Sequence, residues 1–68
     1  MIVELNGTRA ELPEDATVAD AVRELGVDGE SRGVAVAVDG EVIRKAAWGE
    51  TRLRGDQSVE VVRAVQGG

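Results

Sequence analysis

The sequence closes on Gln66-Gly67-Gly68, directly after a β-prone run that ends at Val65. Glycine has no Cβ, so two in succession make a thin, pliable tail that passes through a channel where any side chain would collide. Only the terminal carboxylate then arrives at the far end. An α-carboxyl group titrates at about 3.3–3.7 and is ionised at neutral pH, so it resists nucleophiles until something converts it into a better acylating group. Such a tail fits a substrate or carrier better than a catalyst, with Gly68 as the reacting residue and Gln66 and Gly67 as the stretch that threads. Chain ends are also commonly disordered and Gly-rich. On the tail alone, a frayed end and a reactive end stand side by side.

No other residues assemble a reactive group. The 68 residues include no Cys and no His, which removes thiolate nucleophiles, imidazole acid/base chemistry and the usual metal ligands together. Ser31, Ser58 and Lys45 have no His, Cys or Tyr beside them to build an activated nucleophile. The other glycines fall singly at turns and form no phosphate-cradling cluster. Glu14-Asp15 precedes a predicted helix, where paired carboxylates favour the positive N-terminus. The chain therefore reads as a non-enzyme with no catalytic residue, metal or cofactor of its own.

Charge narrows the partners. Residues 1–31 carry eight acids against Arg9 and Arg23, whereas residues 32–68 carry five acids against Arg32, Arg44, Lys45, Arg52, Arg54 and Arg63. The tail-bearing half is the mildly basic one, and its arginines can help orient a docked partner or that partner's phosphate-bearing substrate. Most of the charges need only a solvated surface to explain them. A net charge of −5 with a single aromatic residue argues against nucleic-acid binding, which wants a basic stripe and stacking platforms. The start, Met-Ile-Val-Glu, lacks the basic flank and apolar stretch of a secretory signal, and no segment reaches membrane-spanning length. A cytoplasmic protein, monomeric on its own, is the expectation.

The elements that must present the tail are legible in the pattern. Ile2–Leu5, Asn6-Gly7 and Thr8–Leu12 read as a hairpin, because Asn-Gly supplies the positive φ angles of a type I′ turn. Val3 and Leu5 should face inward on the first strand, and Ala10 and Leu12 on the second. Thr17 is placed as a helix N-cap with Asp20 at the capping-box position, one methylene shorter than the preferred Glu. Val18, Ala21, Val22 and Leu25 follow at helical spacing, and Gly26 sits where a left-handed C-cap residue belongs. After a polar loop over 27–33, Val34–Val38 alternates valines on one face with alanines on the other, and Asp39-Gly40 returns the chain through Glu41-Val42-Ile43. Arg44 to Leu53 is irregular and holds Trp48, read first as a core plug and second as a partner contact. Arg54–Gln57 is a further turn.

The last strand, Ser58–Val65, loses strict alternation at Val61-Val62. Val59 and Val61 are assigned to the core, while Val62 and Ala64 are left for a partner interface. Hairpin, helix, hairpin and final strand make an α+β plan with one helix on a mixed sheet. A domain over 1–65 would then carry a flexible diglycine tail over 66–68.

This arrangement resembles the β-grasp, ubiquitin-like superfamily, and its wording is similar to the ThiS family, the sulfur carriers of thiamine biosynthesis. The resemblance spans the chain. It rests on Asn6-Gly7, Thr17-Val18-Ala19-Asp20, Arg32-Gly33 leading into Val34–Val38, Trp48, Gly55-Asp56, and Glu60 through Gly68, with Ala64 to Gly68 the most specific piece. Members commonly have a proline shortly after the second hairpin and a serine before the tryptophan stretch; Arg44 and Ala46 stand near those places here. The resemblance implies a sheet of four or five strands in which the last strand lies inside, parallel to the first. It also implies that an E1-like enzyme uses ATP, with Mg, to adenylate the Gly68 carboxylate. A persulfide from a cysteine desulfurase would then displace AMP to leave a Gly68 thiocarboxylate, whose sulfur a thiazole synthase accepts. The rival readings are a molybdopterin-type or natural-product sulfur carrier, a ubiquitin-like modifier, and a plain β-grasp interaction module. In the modifier reading Lys45, the one lysine, would be the site of any self-linked chain.

Overall fold

The structure is a computed structural model, and it describes residues 1–27 and 33–63. Its elements are β1 (Ile2–Leu5), β2 (Thr8–Glu11), α1 (Val18–Glu24), β3 (Val34–Val38), β4 (Glu41–Ile43), a 3-10 helix over Lys45–Ala47, and β5 (Ser58–Arg63). The five strands form one sheet in the order β2-β1-β5-β3-β4. β5 is central, parallel to β1 and antiparallel to β3. The sheet thus has five strands, the larger of the two expected numbers. No described helix is long and apolar enough to cross a membrane.

Both hairpins take the turn their sequences specify. Asn6 and Gly7 have φ of 51° and 82°, and Asp39 and Gly40 have 49° and 85°, the left-handed pair that a type I′ turn requires. The turn over Arg54–Gln57 behaves differently. Its positive φ, 68°, falls on Asp56 and not on the neighbouring Gly55, a place that Asp tolerates better than most side chains. The Gln57 N–H donates to the Arg54 carbonyl (3.3 Å), and Asp56 N–H donates to Ile2 O (2.7 Å), so the turn is tied to β1.

The helix begins and ends on side-chain and backbone caps. The Asp20 N–H donates to Thr17 Oγ1 (3.4 Å), while Asp20 Oδ2 accepts from the Thr17 N–H (2.9 Å), so the capping box closes despite the shorter acid. The bond from the Thr17 backbone, together with the Thr17 hydroxyl and Arg23 beside it, holds the Asp20 carboxyl below the usual aspartate value against an opposing push from burial. At the other end Gly26 (φ 73°) donates to Arg23 O and Val27 donates to Val22 O, the two bonds of a Schellman motif. Two further donors at the helix start are taken up by the irregular segment: Val18 N–H by Thr51 O (2.9 Å) and Ala19 N–H by Trp48 O (3.2 Å). That segment therefore completes the helix N-terminus.

The core lies between α1 and the inner face of the sheet. Val3, Leu5, Val36, Val38, Val59 and Val61 meet Val18, Ala21 and Val22, with Leu12, Ala16, Trp48 and Leu53 closing the ends. Leu12 is buried just past the last residue of β2, while Ala10 and Leu25 are half-buried at the margin. Trp48 is buried, and its indole Nε1–H donates to Ile43 O at 2.9 Å. It is the core plug, and its polar edge is satisfied.

Candidate functional site: the outgoing end of β5

β5 is the element that leads to the diglycine. On one side it is laddered to β3 from Val38↔Val59 to Val34↔Arg63. On the other, its parallel pairing with β1 covers Glu4↔Ser58 and Leu5↔Val59. Beyond that point β1 has turned away into the Asn6-Gly7 hairpin. The Asn6 N–H still donates to Val59 O (2.9 Å), and the Asn6 side chain then continues the ladder. Its Oδ1 accepts from the Val61 N–H at 2.8 Å, and its Nδ2 donates to Val61 O at 3.3 Å. A carboxamide, like a peptide group, sets an N–H donor beside a carbonyl acceptor, so it stands in for the next rung.

The upstream end of β5 is held by the other hairpin turn. Asp39 Oδ1 accepts from the Ser58 N–H (2.9 Å) and Oδ2 from Gln57 Nε2 (3.3 Å), while the Asp39 N–H donates to Ser58 O (2.8 Å). Each side of β5 is thus gripped by the first left-handed residue of a hairpin turn.

The two faces of β5 have different surroundings. Val59 and Val61 are buried against the helix side, whereas Val62 points outward and is 58% exposed. Its cross-strand partner is Ala35, and beside them Val42 of β4, 73% exposed, is opposite Ala37. Two exposed valines over two alanines make a low, apolar strip on the helix-free face, next to exposed Glu60. The assignment of Val62 to an outward position is met, and so is that of Val59 and Val61 to the core. Gly68, Gly67, Gln66 and Ala64 lie outside the described residues, as does Val65 of the expected strand. Val42 was missed because it sits in a three-residue strand with no alternation to read. Asn6 was read only as a turn former; its amide contact joins residues 55 apart in sequence, beyond any local pattern.

Comparison with known proteins places this geometry. The ThiS family profile matches residues 2–68. No curated protein sequence matches the chain. Among solved structures, the crystal structure of the thiamine biosynthesis protein ThiS from Geobacter metallireducens is 26% identical, covers 100% of both chains and superposes with a TM-score of 0.79. A solution structure of a thiamine biosynthesis protein from the same organism gives 0.78 at 26% identity, over 100% of this chain and 88% of that one. SAMP1 from Haloferax volcanii, 20% identical over 98% of this chain and 97% of its own, has a TM-score of 0.66 and shares the fold alone. The fold is the β-grasp, and with the family match covering residues 2–68, the chain belongs to the ThiS family.

Proposed function

We propose that this chain is a sulfur carrier whose working atom is the C-terminal carboxyl carbon of Gly68. The observation that carries the reading is the family match, which extends through Gly67 and Gly68. A chain without Cys or His must have its carboxylate activated by others. An E1-like enzyme supplies that step, binding ATP and its Mg2+ itself. A Gly68 carboxylate oxygen attacks the α-phosphorus, the α–β phosphoanhydride bond breaks, and pyrophosphate leaves. The terminal sulfur of a persulfide on a cysteine desulfurase or related donor then attacks the acyl carbon. AMP departs, and the donor cysteine is left joined to Gly68 through an acyl disulfide. A second thiol attacks the donor cysteine sulfur and forms a new disulfide with it as the acyl S–S bond breaks, and the thiocarboxylate leaves, to be taken up by a thiazole synthase for the thiazole of thiamine.

In this reading residues 1–65 are the handle and residues 66–68 the tail, with Gln66 and Gly67 giving clearance in the activating enzyme's channel. The exposed Val62 and Val42 over Ala35 and Ala37 support a docking role for the helix-free face close to where β5 leads out; Ala64 belongs to the same proposed interface. The setting is the cytoplasm.

The test is intact-mass spectrometry after incubation with ATP, the cognate activating enzyme and a persulfide donor. The chain should gain the mass of one oxygen replaced by sulfur, and deletion of Gly67-Gly68 should abolish the gain. No gain with an activating enzyme shown to be competent would falsify the carrier role. A covalent adduct to protein lysines would replace it with the modifier reading.

A further inference from the structure

We propose that Asn6 is a latent modification site: the two bonds from its carboxamide to Val61 hold off cyclisation onto the Gly7 nitrogen, and each opening of that clamp exposes Asn6 to deamidation. Water is the only co-reactant. The Gly7 nitrogen bonds to Asn6 Cγ and gives up its proton, the Cγ–Nδ2 bond breaks, and ammonia leaves with that proton. Water then adds across one of the two C–N bonds of the five-membered imide, giving aspartate when the Cγ–N bond opens and β-linked isoaspartate when the main-chain bond does.

The turn offers every element of this reaction. Asn6 is the one asparagine in the chain, it is exposed, and Gly follows it. A Cβ at Gly7 would meet nothing within 4 Å, so the attacking nitrogen lies in open space with no side chain of its own to shield it. What stands against the reaction is the clamp. Asn6 Oδ1 accepts from the Val61 N–H at 2.8 Å and Nδ2 donates to Val61 O at 3.3 Å. Cyclisation must swing Cγ toward Gly7 and expel Nδ2, so both bonds have to break first. The native rate is then the unfolded-chain rate multiplied by the fraction of time the clamp is open.

Either product weakens the clamp that guarded it. Aspartate keeps an acceptor for the Val61 N–H but has no donor for the Val61 carbonyl, which is left facing a carboxylate. Isoaspartate adds a methylene to the main chain of a two-residue turn whose φ angles, 51° and 82°, are those of type I′. Deamidation at Asn6 thus records how often β5 and the first hairpin have parted.

The experiment follows deamidation of the full chain at mildly alkaline pH across a urea series. Cleavage after Arg9 releases residues 1–9, in which Asn6 is the only side-chain amide, and tandem mass spectrometry reads the exchange of NH2 for OH there. Hydrogen exchange of the Val61 amide, whose N–H meets Asn6, is measured under the same conditions on fresh protein. The native chain should deamidate at least about 10-fold more slowly than the urea-unfolded chain. Below the unfolding transition, its rate should rise with urea in proportion to Val61 exchange. A smaller native-to-unfolded ratio shows that the clamp does not restrain the carboxamide. A slow rate that does not follow Val61 exchange shows that the turn backbone alone protects it. Either result overturns the proposal, as does an unfolded chain that leaves Asn6 intact.

Discussion

Two hairpin turns flank β5, and each places a side chain at positive φ, then a glycine, yet they hold the strand at opposite ends with different chemistry. Asn6 faces a residue, Val61, that presents both an N–H and a carbonyl, and it answers with an acceptor and a donor. Asp39 faces Ser58, whose carbonyl is already taken by the Asp39 N–H, so only an N–H remains and a carboxylate suffices. Turn propensity explains why Asn or Asp fits either site. What each turn must grip explains which of the two is present.

The comparison can be broken at several points. The largest effect is expected at the end that Asn6 holds. Val62→Asp puts a carboxylate on the exposed apolar strip, so urea unfolding followed by Trp48 fluorescence should be nearly unchanged. Affinity for the activating enzyme or thiazole synthase, measured by calorimetry, should fall by roughly 1–3 kcal/mol, the range for burying an unmatched polar group. If Val62→Asp unfolds the domain, Val62 is core and the outgoing end is not a docking surface.

A smaller effect comes from exchanging the two turn residues in turn. Asn6→Asp keeps the positive φ and the bond to the Val61 N–H but loses the donor and sets a carboxylate against the Val61 carbonyl, at a loss of about 1–2 kcal/mol. Asp39→Asn keeps an acceptor for Ser58 and should stay within about 0.5 kcal/mol of the parent. Equal losses in the two urea midpoints would show that the grips are interchangeable and that turn propensity alone chose the residues.

The smallest effect lies away from β5, at a cap that serves the helix alone. Asp20 titrates below the ordinary aspartate range because Thr17 and Arg23 favour its ionised form. A lowered folded-state value means that its contribution is present above the unfolded pKa of about 3.9 and is lost as pH falls through the folded value. Asp20→Asn should therefore cost about 0.3–0.5 kcal/mol at pH 7, a figure kept low because the carboxylate is partly exposed to screening solvent. The gap between parent and variant should close below about pH 4. Activation of Gly68 by its partner enzyme should not differ between them at neutral pH.

The features legible in the sequence are those that depend on neighbours along the chain. Both type I′ turns, the Thr17–Asp20 box, the Gly26 cap and the inward valines of β3 and β5 follow from local spacing. The broken alternation at Val61-Val62 gave the outward valine; the reading of Gly68 as the reacting residue falls outside the described residues. The Asn6 clamp, the bond from Trp48 to Ile43 and the use of Thr51 and Trp48 carbonyls to complete the helix start were not readable. Each pairs groups brought together only by the tertiary fold. The third turn shows the same limit on a small scale. Its glycine is Gly55, but the left-handed residue is Asp56, whose N–H is tied to Ile2 of a strand far away in sequence.

Carriage of sulfur on Gly68 and nowhere else can be tested residue by residue. Cleavage after Arg63 releases Ala64-Val65-Gln66-Gly67-Gly68 as a separate peptide. After incubation with ATP, the activating enzyme and a persulfide donor, tandem mass spectrometry of that peptide should place the exchange of oxygen for sulfur on the C-terminal residue. A C-terminal peptide that keeps both oxygens while sulfur or a covalent partner appears elsewhere in the chain would contradict the account.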